Sequence, residues 1–260
     1  MKKIIAGCAL LASFAAVATT VESANTFGVL KVTDASTTEL IIAVPWAAVG
    51  NGDIKVTDLV LPTGLANGDK LYWYSTAEKN FKSWVISEGA WAANNVTLFN
   101  EQTVLTTELT DTVARGEALV LVRTAPGTNS DIYLSGQYTN STSVVAIACP
   151  TSEDKAARPN HLTYTLIAPS STAAVDLNTG IYYSDADCNT AVAYMDSSLD
   201  GDKIQLSDGT QYGHDNLGWY KWADASGNAP KTKNHSGVTI PQGQGAWYMR
   251  NGTSSLYIQW

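Results

Sequence analysis

One stretch of the chain has the oxygen spacing of a metal site. Asp185, Asp187 and Asn189 occupy alternate positions, and Asp196 is the twelfth residue counted from Asp185. Oxygen ligands at the first, third, fifth and twelfth positions of a loop are typical of calcium sites. Thr190 stands where a glycine is usual and Asp196 where a bidentate Glu is usual, so the match is incomplete. The segment is a candidate calcium site, and no other cofactor is predicted.

Histidines and carboxylates are the next side chains that could do chemistry. His161, His214 and His235 all lie in polar sequence, and His214 is followed by Asp215. A base beside a carboxylate could serve a nucleophile, but the sequence contains no G-x-S-x-G elbow and no H-E-x-x-H zinc motif. Most acidic residues lie in predicted turns rather than in a pair across a cleft. We therefore predict that the protein is not an enzyme.

Tryptophan is a third source of binding chemistry, because an exposed indole ring can stack on a sugar. Most of the eight tryptophans are expected in the core, where large aromatic side chains supply much of the buried area. In the run Trp219-Tyr220-Lys221-Trp222, strand alternation puts Trp219 and Tyr220 on opposite faces, which leaves one aromatic face exposed. We predict Trp219, Tyr220 and Trp222 as the residues that would bind a glycan.

The N-terminus has the features of a secretory signal. Two lysines precede an apolar stretch from Ile4 to about Ala18, and small residues follow it. Cleavage after Ala18 or after Ser23 fits these small residues, and we favour the second, which makes the signal residues 1–23. The chain is therefore expected to pass through the Sec pathway to the periplasm, outer membrane, cell surface or exterior.

Two cysteines, Cys149 and Cys188, would remain after the signal is removed. An even number of cysteines in an exported protein indicates a disulfide. A bridge between them would close a loop of about 40 residues and contribute roughly 4 kcal/mol by the chain-entropy model. We predict a Cys149–Cys188 disulfide, with two reduced thiols as the alternative.

The charge of the chain limits its partners. Charged residues make up only 15% of the sequence, the formal net charge is −8, and arginine occurs four times. An acidic chain with so few arginines offers no surface that would neutralise phosphates. Nucleic acid is therefore excluded as a predicted partner.

One series of motifs occurs in both halves of the chain. The first half contains LIIAVP, NGDKL and a strand that ends at Arg123, and the second contains TLIAP, DGDKI and a strand that ends at Arg250. The order and spacing of these motifs are kept. We predict two homologous units, residues 24–137 and residues 138–260.

Two further correspondences follow from this order: Asp58-Leu59 with Asp176-Leu177, and Trp84 with Trp222. Before the second arginine strand lies the run Gln242-Gly243-Gln244-Gly245, which is followed by alternating bulky residues rather than by a helix. We interpret this run as a tight turn where backbone passes close to a neighbouring strand and side chains would collide.

The local chemistry is that of strands and turns. Short runs rich in Val, Ile, Thr, Tyr and Trp are separated by Asn-Gly, Asp-Gly and proline-containing turns. A helical pattern is confined to about one turn within residues 151–161. These patterns predict an all-β fold of two tandem sandwich-like or barrel-like units.

The motif set resembles a type of exported β-module that occurs in tandem on large bacterial surface proteins. The matching segments are YTLIAP at 164–169, GDKIQL at 201–206 and PQGQGAWYM at 241–249. The first half departs from the pattern, because Ala114-Arg115-Gly116-Glu117-Ala118 replaces the Pro-Gly-Gln core. The resemblance covers most of the mature chain and implies a surface-associated all-β protein whose motifs are structural.

The sequence therefore predicts an exported, non-enzymatic bacterial surface protein with a structural, adhesive or assembly role. Its expected partners are other surface proteins or further copies of the chain. A carbohydrate-binding module is one alternative, with glycans as partners. The alternation of Leu256, Ile258 and Trp260 suggests an outer-membrane barrel as another, although the short strands with two apolar faces favour a sandwich.

Overall fold

The chain forms strands where its sequence supplies runs of β-branched and aromatic residues. In this computed structural model the described residues are 26–34, 39–44, 53–56, 65–75, 80–94, 96–99, 102–105, 108, 110–124, 130–138, 144–158, 162–171, 173–180, 182–183, 201–223, 233–253 and 256–260. The predicted all-β fold of two homologous units is confirmed.

The strands of the first unit are β1 (Thr26–Asp34), β2 (Glu39–Ala43), β3 (Ile54–Lys55), β4 (Lys70–Ser75), β5 (Asn80–Ser87), β6 (Ala90–Ala93), β7 (Leu98–Phe99), β8 (Gln102–Thr103), β9 (Thr112–Val113), β10 (Ala118–Val122) and β11 (Ser130–Tyr138). The second unit contains β12 (Val144–Ile147), α1 (Ser152–Ala157), β13 (Thr163–Ile167), β14 (Val175–Asp176), β15 (Tyr182–Tyr183), β16 (Lys203–Gln205), β17 (Gln211–Asp215), β18 (Gly218–Ala223), β19 (Thr239–Ile240), β20 (Ala246–Arg250) and β21 (Leu256–Gln259).

The helix α1 lies where the sequence predicts one helical turn. Its N-cap Thr151 and its third residue Asp154 form a capping box, in which each side chain accepts a hydrogen bond from the other residue's backbone N–H. None of the α1 residues is buried. Over the described ranges, the structure contains no helix with the length and apolar character needed to cross a membrane.

The two units share one strand order. The central sheet of the first unit runs β2-β10-β4-β5-β6, and that of the second runs β13-β20-β16-β17-β18. All neighbouring strands in both sheets are antiparallel. The short pairs β3–β9 and β14–β19 also correspond, as do β1–β11 and β12–β21. This common connectivity explains why the same motifs recur in the same order.

The strand registers correct one predicted correspondence. Trp84 pairs with Leu71 and Tyr212 pairs with Ile204, so the counterpart of Trp84 is Tyr212 rather than Trp222. Trp222 lies in β18, whose counterpart is β6. The pairs Ile86–Trp91 and His214–Trp219 occupy equivalent places, which makes Trp91 the counterpart of Trp219.

A second predicted correspondence, of Asp58-Leu59 with Asp176-Leu177, is also wrong. Asp176 lies in β14, which takes the place of β3, so its counterpart is Lys55. Leu177 then corresponds to Val56, and each of these residues donates its backbone N–H to the carbonyl of the residue that immediately precedes the partner strand. Asp58 itself lies outside the described residues.

Alternate residues of the central strands point into different apolar layers. In β2, Leu40 and Ile42 face the core of the first unit, whereas Ile41 and Ala43 face the second unit. The layer shared by the two units, here called the inter-unit layer, consists of Ile41, Ala43, Tyr72, Phe81, Val104, Ala118, Val120, Leu166 and Ala168. Trp247 packs against this layer, with its ring 6.1 Å from that of Phe81. Two buried faces explain why LIIA and ALVLV are apolar at every position.

The outer edge of β2 is covered by the glycine run of the second unit. Ala43 donates its N–H to the Gly243 carbonyl at 2.9 Å, and Gly245 donates to the Ile41 carbonyl at 3.0 Å. A Cβ added to Gly245 would lie 2.7 Å from the Ile167 carbonyl oxygen and 3.1 Å from Ala118 Cβ. The predicted close approach of backbone at this run is therefore confirmed, and it pairs an edge strand that would otherwise be open.

We predict that Gly245→Ala destabilises the protein by about 1–3 kcal/mol, because a new Cβ would force the two units apart. Urea unfolding measures this change. Gly237→Ala is the control, since a Cβ there meets nothing within 4 Å and only the positive φ of 67° opposes it. Equal effects of the two substitutions would contradict the close contact.

Candidate functional site

The predicted calcium ligands Asp185, Asp187, Asn189 and Asp196 lie outside the described residues, so calcium binding stays a prediction. Within the described ranges, no three His, Cys, Asp or Glu side chains form a group that could hold a metal ion. Cys188, one partner of the predicted Cys149–Cys188 disulfide, is also outside the described residues, so this bridge stays a prediction. Cys149 is half-buried, and among the described residues it forms no disulfide.

The predicted aromatic platform on β18 is wrong for two of its three residues. The side chains of Trp219 and Tyr220 are each only 1% exposed. Trp219 faces the core of the second unit, with its ring 5.8 Å from that of Tyr248. Tyr220 lies on the other face, where Lys233 Nζ is 4.6 Å from its ring centroid. Trp222 is half-buried beside Tyr220, so this strand offers little aromatic surface to a sugar.

Tyr220 is covered by a charged cluster that fastens the segment 233–235 onto β17 and β18. Asp215 Oδ1 lies 2.9 Å from His235 Nε2, and Asp215 Oδ2 accepts a hydrogen bond from Lys233 Nζ at 3.1 Å. Burial raises the pKa of Asp215, but the hydrogen bonds from His235, Leu217 and Lys233 together outweigh it and leave this pKa below its usual value. The charged groups of this cluster therefore bind one another and hold the segment 233–235 against β17 and β18.

His214 lies on the opposite face of β17 from this cluster, although Asp215 follows it in sequence. Adjacent residues of a strand point to opposite faces, and His214 points inward against Trp219, with ring centroids 5.0 Å apart. It occupies the position of Ile86 in the first unit. Burial lowers the pKa of His214 to about 4, and the nearby carboxylates of Asp215 and Asp202 only partly oppose this effect. A neutral core histidine is the consequence.

Each unit contains one buried pair of an aspartate and an arginine, here called a clasp. Asp69 and Arg123 form it in the first unit, with Arg123 Nε 3.9 Å from Asp69 Oδ2. Asp202 and Arg250 form it in the second unit, where both side chains are 0% exposed. The aspartate immediately precedes β4 or β16, and the arginine lies at the end of the neighbouring strand β10 or β20. The GDK motif and the arginine, which recur in both halves of the sequence, are therefore in contact in each unit.

The clasp aspartates also collect backbone hydrogen bonds. Asp69 Oδ1 accepts from the N–H of Thr124 at 2.8 Å, and Asp202 Oδ1 accepts from the N–H of Asn251 at 2.7 Å. Asp202 Oδ2 accepts in addition from the Tyr248 hydroxyl at 2.8 Å. Each clasp therefore holds the turn that follows the arginine strand, which is a structural task.

A cavity between the two units is the candidate binding site. A cavity of about 330 Å³ is lined by Tyr74 and residues 114–118 of the first unit and by residues 144–146, Thr165 and Leu166 of the second. Most of its lining is apolar. Its volume is at the lower end of the range of roughly 300–1,000 Å³ that ligand pockets occupy.

An exposed apolar surface adjoins this cavity. Ala146 and Tyr257 are register partners on β12 and β21, and Val144 lies two residues before Ala146. Val144 is 57% exposed and Tyr257 is 45% exposed, and Ala146 is exposed as well. We call Val144, Ala146 and Tyr257 the β12 face. Sequence reasoning missed it, because only the pairing of β12 with β21 brings these residues together.

Glu117 lies in the segment that forms one wall of the cavity. Its Oε2 accepts hydrogen bonds from Trp73 Nε1 at 2.7 Å and from the Ala114 N–H at 2.9 Å. Burial raises the pKa of Glu117 to about 7, the two hydrogen bonds oppose this rise, and Asp53 adds to it. The carboxyl group therefore changes its charge near neutral pH.

The sequence matches no known family model, and no curated protein or solved structure resembles it at a significant level. The resemblance to tandem exported β-modules stays a prediction.

We predict that Arg250→Met destabilises the protein by about 3–5 kcal/mol, because it leaves the buried Asp202 carboxylate without its guanidinium. Urea unfolding measures the loss. The double variant Asp202→Asn with Arg250→Met should recover a large part of it, since no charge then remains buried. A double variant as unstable as the sum of the single ones would show that the two residues do not act as a pair.

Two buried groups give opposite pH dependences of stability. The raised pKa of Glu117 means that the folded state binds more protons than the unfolded state between about pH 4.5 and 7, so stability falls as pH rises through this window. The lowered pKa of His214 means that the unfolded state binds more protons between about pH 4 and 6.5, so stability rises there.

We predict that Glu117→Gln makes the stability of the protein rise with pH from 5 to 7 relative to the original chain, and that His214→Ile makes it fall. Each difference is on the order of 3 kcal/mol at full titration, from 1.4 kcal/mol per pKa unit. Isoleucine is chosen because Ile86 fills the equivalent position. Denaturant melts at several pH values measure both curves, and parallel curves for all three proteins would contradict the prediction.

Proposed function

We propose that this chain is an exported, non-enzymatic bacterial surface protein that acts structurally, by assembling with further copies of itself or with other surface proteins through the β12 face. The observation that carries the proposal is this exposed apolar surface on an all-β scaffold. Exposed valine and tyrosine side chains next to an apolar cavity favour protein contacts. The signal-like pattern of residues 1–23 supports export.

The use of charge in the structure supports a structural role. The clasps, the Asp215 cluster and the ion pair of Lys82 with Asp111 at 2.7 Å all join one segment of the chain to another. Their side chains hold strands and loops in place. The inter-unit layer supports the same role, because it packs the two units against each other through a continuous apolar contact.

The proposal is tested by recovering the full chain from an expressing bacterium and measuring its mass. We expect it in the envelope or the medium without residues 1–23. Light scattering after size-exclusion chromatography is expected to show particles heavier than one chain at high concentration. Val144→Ser with Tyr257→Ser should shift them towards monomer, because the apolar contact area is lost.

Leu217→Ser is the matched control. Leu217 is 74% exposed in the turn between β17 and β18, which belong to a different sheet from β12 and β21, so its loss should leave the mass unchanged. Retention in the cytoplasm, or a mass that is the same for the double variant and for the original chain, would overturn the proposal.

A further inference from the structure

The cavity lies at the place where the equivalence of the two units breaks down. Arg123 and Arg250 correspond, and counting back along their strands aligns Ala118 with Gly245. The registers with β2 and β13 then align Ile41 with Leu166. The wall of the cavity formed by residues 114–118 is therefore the counterpart of the glycine run 241–245.

On the first unit, the glycine run covers the edge of β2 with a short stretch, residues 244–245, that follows a turn. The Gln244 N–H closes this turn on the Pro241 carbonyl at 3.1 Å, and Gln244 forms a bridge with Ile42. The N–H of Ala43 and the carbonyl of Ile41 bond to Gly243 and Gly245, and the Ile41 N–H donates to Ser207 Oγ at 2.7 Å. The backbone N–H and carbonyl of Ile41 thus point away from β10. Because Leu166 has the equivalent register position in β13, its backbone N–H and carbonyl are expected to point away from β20.

On the second unit, the equivalent approach is blocked by a side chain. A Cβ at Gly245 would lie 2.7 Å from the Ile167 carbonyl oxygen, 2.9 Å from Ile41 Cγ2 and 3.1 Å from Ala118 Cβ. The counterpart of Gly245 is Ala118, which carries that Cβ. The cavity of about 330 Å³ is lined by residues 114–118 on one side and by Thr165 and Leu166 of β13 on the other, at the place that corresponds to the contact of Gly245 with β2.

We propose that the cavity receives an extended segment of a partner protein, which adds to the edge of β13 as Gly243–Gly245 adds to the edge of β2. Main-chain hydrogen bonds to Leu166 give the affinity in this mode of recognition, and pockets for alternate side chains give the selectivity. The partner segment carries glycine where it passes Leu166, for the steric reason that applies at Gly245. Apolar residues follow this glycine, as Ala246 and Trp247 follow Gly245, and lie against Tyr74 and Val144.

This inference names the kind of partner for the proposed assembly role and rests on that role. The probe is the synthetic peptide PQGQGAW, with blocked ends, which copies residues 241–247 of this chain. It is titrated into the chain that begins at Ala24, and binding is followed by calorimetry. Hydrogen exchange of residues 163–167 is measured with and without the peptide.

We expect saturable binding together with slower exchange of the Leu166 amide. A control peptide with alanine in place of Gly243 and Gly245 should bind at least about tenfold more weakly, which is a difference of roughly 1.4 kcal/mol. Ala146→Trp should weaken binding of the first peptide, because the new side chain enters the cavity from β12. Leu217→Trp should leave it unchanged, and thermal melts of both variants show whether they fold.

Equal affinity for the two peptides, or binding without protection of Leu166, would overturn the inference even if Ala146→Trp fails to fold. Absence of binding would overturn it as well. The proposed function is judged separately by the masses of the β12-face variants. A mass shift without peptide binding therefore removes only the edge-docking inference, and the reverse result removes only self-assembly through the β12 face.

Discussion

The strand arrangement of each unit depends on a buried ion pair between an aspartate carboxylate and an arginine guanidinium. A buried charge without its partner costs several kcal/mol, so Asp202 and Arg250 hold each other's positions on neighbouring strands. The same aspartate then collects backbone N–H groups from the turn beyond Arg250. One ion pair thus sets the relative position of two central strands and of the loop that leads to the last strand. Asp69 and Arg123 do the same in the first unit.

The two units are joined by strands that have no polar face. Every residue of β2 after Glu39 is buried, because one side of the strand faces the core of its own unit and the other faces the inter-unit layer. Gly245 completes this contact, since the absence of a side chain lets the second unit bond to the edge of β2. The interface between the units therefore consists of buried apolar side chains, as a protein core does.

The features that could bind a partner lie where the two copies differ. Ala118 in place of a glycine leaves the cavity, and Glu117 brings into its wall a carboxyl group that titrates near neutral pH. His214 in place of Ile86 puts a neutral imidazole in the second core. The clasps and the strand order are common to both copies, whereas these substitutions affect one copy each. The cavity therefore lies where the sequences of the two units differ.

The sequence by itself determined the all-β fold, the two units and the close approach at the glycine run, because these follow from local patterns of residue type and from repeated motifs. Only the tertiary structure decided which strands are neighbours. The counterpart of a tryptophan in β18 is therefore Trp91, which corresponds to Trp219, and not Trp84. In the same way, the histidine bound to Asp215 is His235, which is distant in sequence, and not the adjacent His214. The burial of Trp219 and Tyr220 depends on what covers each face of β18, and strand alternation carries no information about that covering. The cavity and the β12 face arise from contacts between segments far apart in the chain, which no local pattern encodes.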